Sequence, residues 1–299
     1  MDKTLQGKGA SDPDRREPAA AVCLEDRAYT TDCLGDSQLV IEDDALLEWA
    51  HSNRISPQEA QIEAIQSRII PLRYAKNFHS LTLGEQRRVC ESRVLVCGCG
   101  GLGGVLINLL ARAGVGALRL VDGDVFVPSN LNRQWLCDTQ ALSRPKAEVA
   151  GARVRSINPL TEVEVFPVLM DENNAESLVK GMDLVIDALD DFAGRFLLAE
   201  TARRMKVPFI HTAATGWWGQ VSTFLPESFL DMHSIYGREE EQDRQPDELM
   251  GVLGPAPAVI GGLAAFEAIR LLSGRNSAYT DQLCYLDGES GRLDVIPLE

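Results

Sequence analysis

The chain has 299 residues, 45% hydrophobic and 24% charged, enough to bury a full core in one large α/β domain with an appendage or in two small domains. A formal net charge of −15 excludes nonspecific attraction to phosphate polyanions, so neither nucleic acid nor an anionic membrane is expected as a partner, and a small protein with a basic face fits better. Seven cysteines, an odd number with no CxxC pair, argue against both a disulfide scaffold and a zinc clasp, and Cys97 and Cys99 read as buried thiols rather than ligands.

Residues 1 to about 40 mix Asp, Lys, Arg, Pro and Gly without apolar periodicity, so an unstructured arm is expected there. The first 20 residues show no apolar signal segment, and apolar stretches such as Ala256 to Ala265 are short for a membrane span; a cytoplasmic protein is expected. Residues 41–70 read as a helical extension. Ala45, Leu46, Leu47, Trp49 and Ala50 mark a helix from Asp43, and the capping box Ser56-Pro57-Gln58-Glu59 opens a second that runs to about Arg68.

The main domain, residues 71–299, begins with the apolar run Arg93 to Cys97, a glycine turn at Gly98 to Gly104, a helix from about Leu102 to Ala113, and a strand from Ala117 ending in Asp122. Alternation continues with helices around Pro145 to Ile157, Ala175 to Lys180 and Ala193 to Met205, and strands at Glu162 to Phe166, Asp183 to Leu189, Pro208 to Thr212 and Gln220 to Leu225. Such alternation predicts an α/β fold with a doubly wound, largely parallel, Rossmann-like sheet. Residues 226–250 are rich in acids and aperiodic, which predicts a mobile crossover loop. Pro257 to Ser273 then reads as a buried helix, and Leu283 to Asp287 with Leu293 to Ile296 as a closing hairpin. Trp217-Trp218, between two late strands, is expected to pack in the core rather than to anchor a partner.

Gly98, Gly100 and Gly103 stand at G-x-G-x-x-G spacing, with Gly101 and Leu102 between them. Glycines let the backbone approach phosphates, and the helix after them presents unpaired N–H groups to an anion. Asp122, 19 residues beyond Gly103 at a strand end, is placed for a ribose hydroxyl. These features alone leave a dinucleotide oxidoreductase and an ATP-using enzyme both open. The residues beyond the second strand favour the ATP-using enzyme: Asp122-Gly-Asp124 leads through Asn130 and Arg133 to Lys146, and Ala188-Leu189-Asp190-Asp191 comes later. A triphosphate needs cations on its outer groups and an acid for Mg²⁺, whereas hydride transfer needs neither.

The run S-N-L-N-R-Q at Ser129 to Gln134, R-P-K at Arg144 to Lys146, I-N-P at Ile157 to Pro159 and Gly114-Val-Gly116, in that setting, resemble the ThiF/MoeB/HesA family over roughly residues 69–299. The resemblance implies ATP-dependent adenylylation of the C-terminal carboxylate, usually ending Gly-Gly, of a ubiquitin-like sulfur-carrier protein. It assigns nucleotide contacts to the glycine loop (Gly98, Gly100, Gly101, Leu102, Gly103), Asp122, Asp124, Asn130, Arg133, Lys146 and Leu189, and Mg²⁺ to Asp190. Arg133, Lys146 and Asp190 would carry the catalysis. It also implies a two-fold dimer in which Lys76, in Arg73-Tyr74-Ala75-Lys76-Asn77, stands where the family has an arginine that reaches the partner's nucleotide. Two departures matter. The zinc-binding CxxC pairs of many relatives are missing, so no zinc is expected, and Asp247 stands where many relatives have a cysteine for covalent transfer. Adenylylation without such transfer is therefore the expectation. A nicotinamide-dependent oxidoreductase and a catalytically silent scaffold for a ubiquitin-like protein are the alternatives.

Overall fold

The computed structural model describes residues 23–237 and 250–299. Two strands, β1 (Tyr29–Cys33) and β2 (Asp36–Ile41), precede two helices, α1 (Asp43–Asn53) and α2 (Pro57–Gln66), and a short strand, β3 (Ile70–Pro71). The hairpin corrects the expectation of an unstructured arm to about residue 40. Leu34 and Gly35 both have positive φ (61° and 90°), the turn geometry whose twist suits paired strands. Val40 and Ile41 are then buried against the extension; residues 1–22 lie outside the described residues. The extension is accordingly a three-stranded sheet, ordered β1-β2-β3, with two helices rather than helices alone. α2 starts as the sequence predicts, with Ser56 and Glu59 closing a reciprocal capping box.

A 3-10 turn (Leu72–Asn77) and α3 (Leu83–Glu91), capped by Thr82 and Glu85, lead into the main sheet. Its strands are β4 (Arg93–Cys97), β5 (Ala117–Val121), β6 (Glu162–Phe166), β7 (Leu184–Asp187), β8 (Phe209–Thr215), β9 (Trp218–Phe224), β10 (Gln282–Asp287) and β11 (Arg292–Pro297). They lie in the order β11-β10-β9-β8-β7-β4-β5-β6. Strands β6, β5, β4, β7 and β8 are parallel, and β9 to β11 extend the sheet antiparallel.

Alternate residues of β4 face opposite cores, as a strand period of two requires. Val94 and Val96 pack with α4 (Gly101–Ala113), α5 (Lys146–Ile157) and the long helix Pro255–Ser273. Leu95 and Cys97 pack with α6 (Ala175–Val179) and α7 (Phe192–Arg204). Burial on both faces explains why the parallel strands read as continuous apolar runs. A short α8 (His233–Tyr236) follows β9, and the helix at Pro255–Ser273 becomes α9. α9 is 19 residues with mean hydropathy 1.4, long and apolar enough by composition to cross a membrane. Its Ile260, Ala264, Ala265 and Ala268 are nevertheless enclosed in the main core.

Candidate active site

The chain leaves β4 toward one side of the sheet, through β5 and β6, and later returns to β7 on the other side of β4. This reversal opens a crevice at the carboxyl ends of β4, β5 and β7, where open α/β sheets hold ligands. A cleft of about 510 Å³ occupies it. Its floor is the glycine turn. Gly98 has φ +98°, and a Cβ there would meet the Ala188 carbonyl oxygen at 2.3 Å; one on Gly103 would meet the Gly98 carbonyl oxygen at 1.8 Å. Gly103 therefore brings the helix and turn together and does not line the cleft, whereas Gly98, Gly100, Gly101 and Leu102 do. α4 begins with no side-chain cap, so its first N–H groups are left for a ligand.

Asp122, just beyond β5, fixes this turn: its Oδ2 accepts from Cys99 N at 2.7 Å and its Oδ1 from Asp124 N at 2.8 Å. Burial raises its carboxyl above the usual range, against the opposing pull of Lys146 and the two amides. Lys146 opens α5, where a cation opposes the helix dipole. It is only 7% exposed, and its Nζ pairs with Asp124 Oδ2 at 2.8 Å on the cleft wall. The Asp124 carboxylate holds the ammonium on the cleft wall although a helix start disfavours a cation. Arg133 also lines the cleft, its Nη1 donating to Ser129 O at 3.0 Å and Asn132 Oδ1 at 2.9 Å.

Asp190 and Leu189 line the opposite wall, on the loop after β7. A buried network holds that loop. Arg195 Nη1 donates to Asp187 Oδ2 at 3.0 Å and to Thr212 O at 2.6 Å, and its Nη2 donates to Leu189 O. His211 Nδ1 lies 2.7 Å from the same Asp187 oxygen, and its Nε2 lies 3.0 Å from the Tyr236 hydroxyl, which also accepts from Gln220 Nε2 at 2.6 Å. Tyr236 and Gln220 reach the cleft wall, so the network runs from the strand ends to α8.

Burial holds the His211 imidazole below its ordinary range, although Asp187 pulls the other way. The unfolded chain therefore takes up a proton near pH 6.5 that the folded chain refuses until lower pH. The expected result is a stability that falls as the pH drops below about 6.5, with a slope that His211→Gln reduces, measured by urea unfolding across that interval.

Two site residues implied by the resemblance do not line this cleft, and of these Lys76 is implied for the partner's nucleotide. Asn130 is buried and outside the cleft lining; its Oδ1 accepts from Val127 N at 3.0 Å and caps the 3-10 turn Pro128–Asn130, a local bond that takes its acceptor away from the site. Lys76 is exposed on the 3-10 turn after β3 and is likewise outside the lining of its own chain's cleft. The tryptophan pair also departs from the packing expectation: Trp217 is 50% exposed and Trp218 lines the cleft, because they lie at the turn where β8 passes into β9. Asp247 lies outside the described residues. Burial pushes the Cys97 and Cys99 thiols up and that of Cys90 up to about 12. Among the described residues no three His, Cys, Asp or Glu side chains are grouped to hold a metal ion. In place of CxxC pairs, the segment at α8 packs by rings, Phe196 against His233 at 5.0 Å and Phe192 against Tyr236 at 5.1 Å.

The chain is 37% identical to the SAMP-activating enzyme E1 of Haloferax volcanii over 213 residues, 71% of this chain and 78% of that protein. It is 34% identical to the molybdopterin-synthase adenylyltransferase of Haemophilus influenzae over 232 residues, 76% of this chain and 94% of that protein. In fold it is similar to E. coli MccB in its crystal structure with ATP, with a TM-score of 0.64 at 18% identity over 76% of this chain and 70% of that one. The sequence profile described as the ThiF family matches residues 73–299, which takes in the whole cleft, and the chain belongs to that family.

Proposed function

We propose that this chain is an ATP-dependent adenylyltransferase that activates the C-terminal carboxylate of a small ubiquitin-like sulfur-carrier protein. The observation that carries the reading is Lys146, a buried cation at a helix start, facing the uncapped glycine turn and the ribose-placed Asp122 across one cleft. The relatives are named as enzymes that act on sulfur-carrier or SAMP proteins, and the MccB structure is named with ATP, which supports the same reading.

In the reaction a carboxylate oxygen of the carrier attacks the α-phosphorus. The bond from that phosphorus to its bridging oxygen breaks, giving an acyl-adenylate and pyrophosphate. A carboxylate is already a nucleophile at neutral pH, so no general base is needed. The chain aligns the two substrates and stabilises charge on the phosphates through Lys146, Arg133 and the glycine-turn amides. The donor set suits Mg²⁺ carried with the triphosphate, because Asp190 offers one carboxylate at the cleft and this ion is commonly held by one or two carboxylates plus phosphate oxygens. When bound, Mg²⁺ neutralises phosphate charge. Lys76, exposed and outside the lining of its own cleft, is assigned to the site of a second copy in a homodimer. The composition suits a cytoplasmic enzyme.

ATP–pyrophosphate exchange tests the proposal. Exchange that requires a Gly-Gly-ending carrier is expected, with no reductant-sensitive adduct trapped on this chain. Tight NADH binding without ATP affinity would overturn the reading in favour of an oxidoreductase. ATP binding without exchange on any candidate carrier would point to the silent scaffold.

A further inference from the structure

We propose that the carboxamide of Gln134 is a direct contact of the nucleotide's phosphates, held under the glycine turn. The inference rests on the ATP reading above and adds a residue for which the local geometry shows no structural duty.

Gln134 is 7% exposed and lines the cleft. Its backbone is fixed, since its N–H donates to Asn130 O at 2.9 Å and its carbonyl accepts from Cys137 N at 2.8 Å. Its side chain is a different matter: Oε1 is buried with no hydrogen-bond partner among the described residues. Buried polar atoms nearly always find partners; a phosphate, which only accepts, cannot supply one for Oε1, so the observation marks a carboxamide whose orientation no bond among the described residues fixes. Three other described side-chain atoms share this condition, Arg27 Nε, Arg87 Nε and Thr280 Oγ1, but Gln134 is the one whose residue lines the cleft.

The carboxamide is also aimed. A Cβ on Gly100 would lie 3.4 Å from Gln134 Nε2 and 3.8 Å from Oε1, so the amide nitrogen is the end nearer the start of α4. Gly100 is the uncapped N-terminal position of that helix. Phosphate oxygens only accept, and the –NH₂ group of a glutamine has two protons to give. A half-turn of the amide exchanges its ends without changing its shape, so whichever end faces the turn, the donor can be brought to the anion. A neutral donor adds a directed hydrogen bond beside Arg133 and Lys146 without adding a further cation to a cleft that must also release pyrophosphate.

Gln134→Met keeps the volume and removes both polar ends, which separates a ligand contact from a structural role. Calorimetric titration of the purified chain with Mg-ATP and with adenosine, together with a Tm measured without nucleotide, reads the difference. The expected result is an ATP affinity about tenfold weaker, adenosine affinity unchanged, and a Tm unchanged or higher by about 2–4 °C, because an unpaired buried acceptor has gone. Gln134→Glu, which sets a carboxylate against the phosphates, is expected to weaken ATP further than Gln134→Met does. Unchanged ATP affinity in Gln134→Met overturns the contact alone. A lower Tm with equal losses of ATP and adenosine overturns it by showing a structural role. A parent chain that binds no ATP overturns the nucleotide reading and the contact with it.

Discussion

Asp190→Ala is expected to lower carrier-dependent pyrophosphate exchange by about a hundredfold, roughly 3 kcal/mol of lost transition-state stabilisation. The size reflects position. β7 ends at Asp187, where Leu189 N donates to Asp187 Oδ1 at 2.9 Å, and Arg195 holds the Leu189 carbonyl. The next residue thus projects from a loop tied at both its amide and its carbonyl. Asp191 supplies an internal control, because its Oδ1 accepts from Gly194 N at 2.7 Å and caps α7. Asp191→Ala should cost about 1 kcal/mol of stability and leave exchange within several-fold of the parent. Asp247→Ala should also leave exchange within a few-fold. Exchange rates at saturating and limiting Mg²⁺ check the assignment. If Asp191→Ala or Asp247→Ala abolishes exchange while Asp190→Ala is tolerated, the roles of these acids have been misassigned.

Arg195→Met is expected to destabilise the chain by about 3–5 kcal/mol, measured by denaturant unfolding at neutral pH. Arg195 and Asp187 are both enclosed, at 6% and 0% exposure, so removing the guanidinium strands a carboxylate away from water. In the parent, burial and the Arg195 charge both hold the His211 imidazole below its ordinary range. The double variant Arg195→Met, Asp187→Leu should recover part of the loss, since no charge is then left unpaired, although His211 Nδ1 and Leu189 N lose their acceptor. A single variant as stable as the parent would show that water reaches this network.

The sequence was most legible where a local rule was enough. Ser56 to Glu59 is a capping box by spacing alone, the glycine turn by its three glycines, and β4 by its apolar run just before that turn. Thr82 and Glu85 carry the same capping signature as Ser56 and Glu59, yet α3 is not among the elements expected from the sequence. The hairpin at Tyr29–Ile41 was hidden by its charged, polar residues; Leu34-Gly35 was the available turn signal. At the site, the residues on the glycine turn and at strand ends were legible because a βαβ unit fixes where strand ends point. Asn130 was legible as part of the S-N-L-N-R-Q run, but the bond its Oδ1 accepts from Val127 N was not. Nothing local could announce that Asp187, Arg195, His211 and Tyr236 form one buried chain, since strand pairing and the return of α8 bring them together.

Tyr74 is fully buried; its hydroxyl donates to Gln61 Oε1 at 2.8 Å and accepts from Asn158 Nδ2 at 2.8 Å. Gln61 belongs to the extension and Asn158 to the main domain, just past α5, so one phenol joins the two. The ring occupies the space beside Gly114, where φ is +90° and a Cβ would lie 2.6 Å from the ring. The segment that matches the family begins at residue 73, but the unit that must fold together begins earlier. The two positions constrain each other: shrinking Tyr74 would clear the space beside position 114 and loosen the extension, yet the left-handed backbone there would still favour glycine.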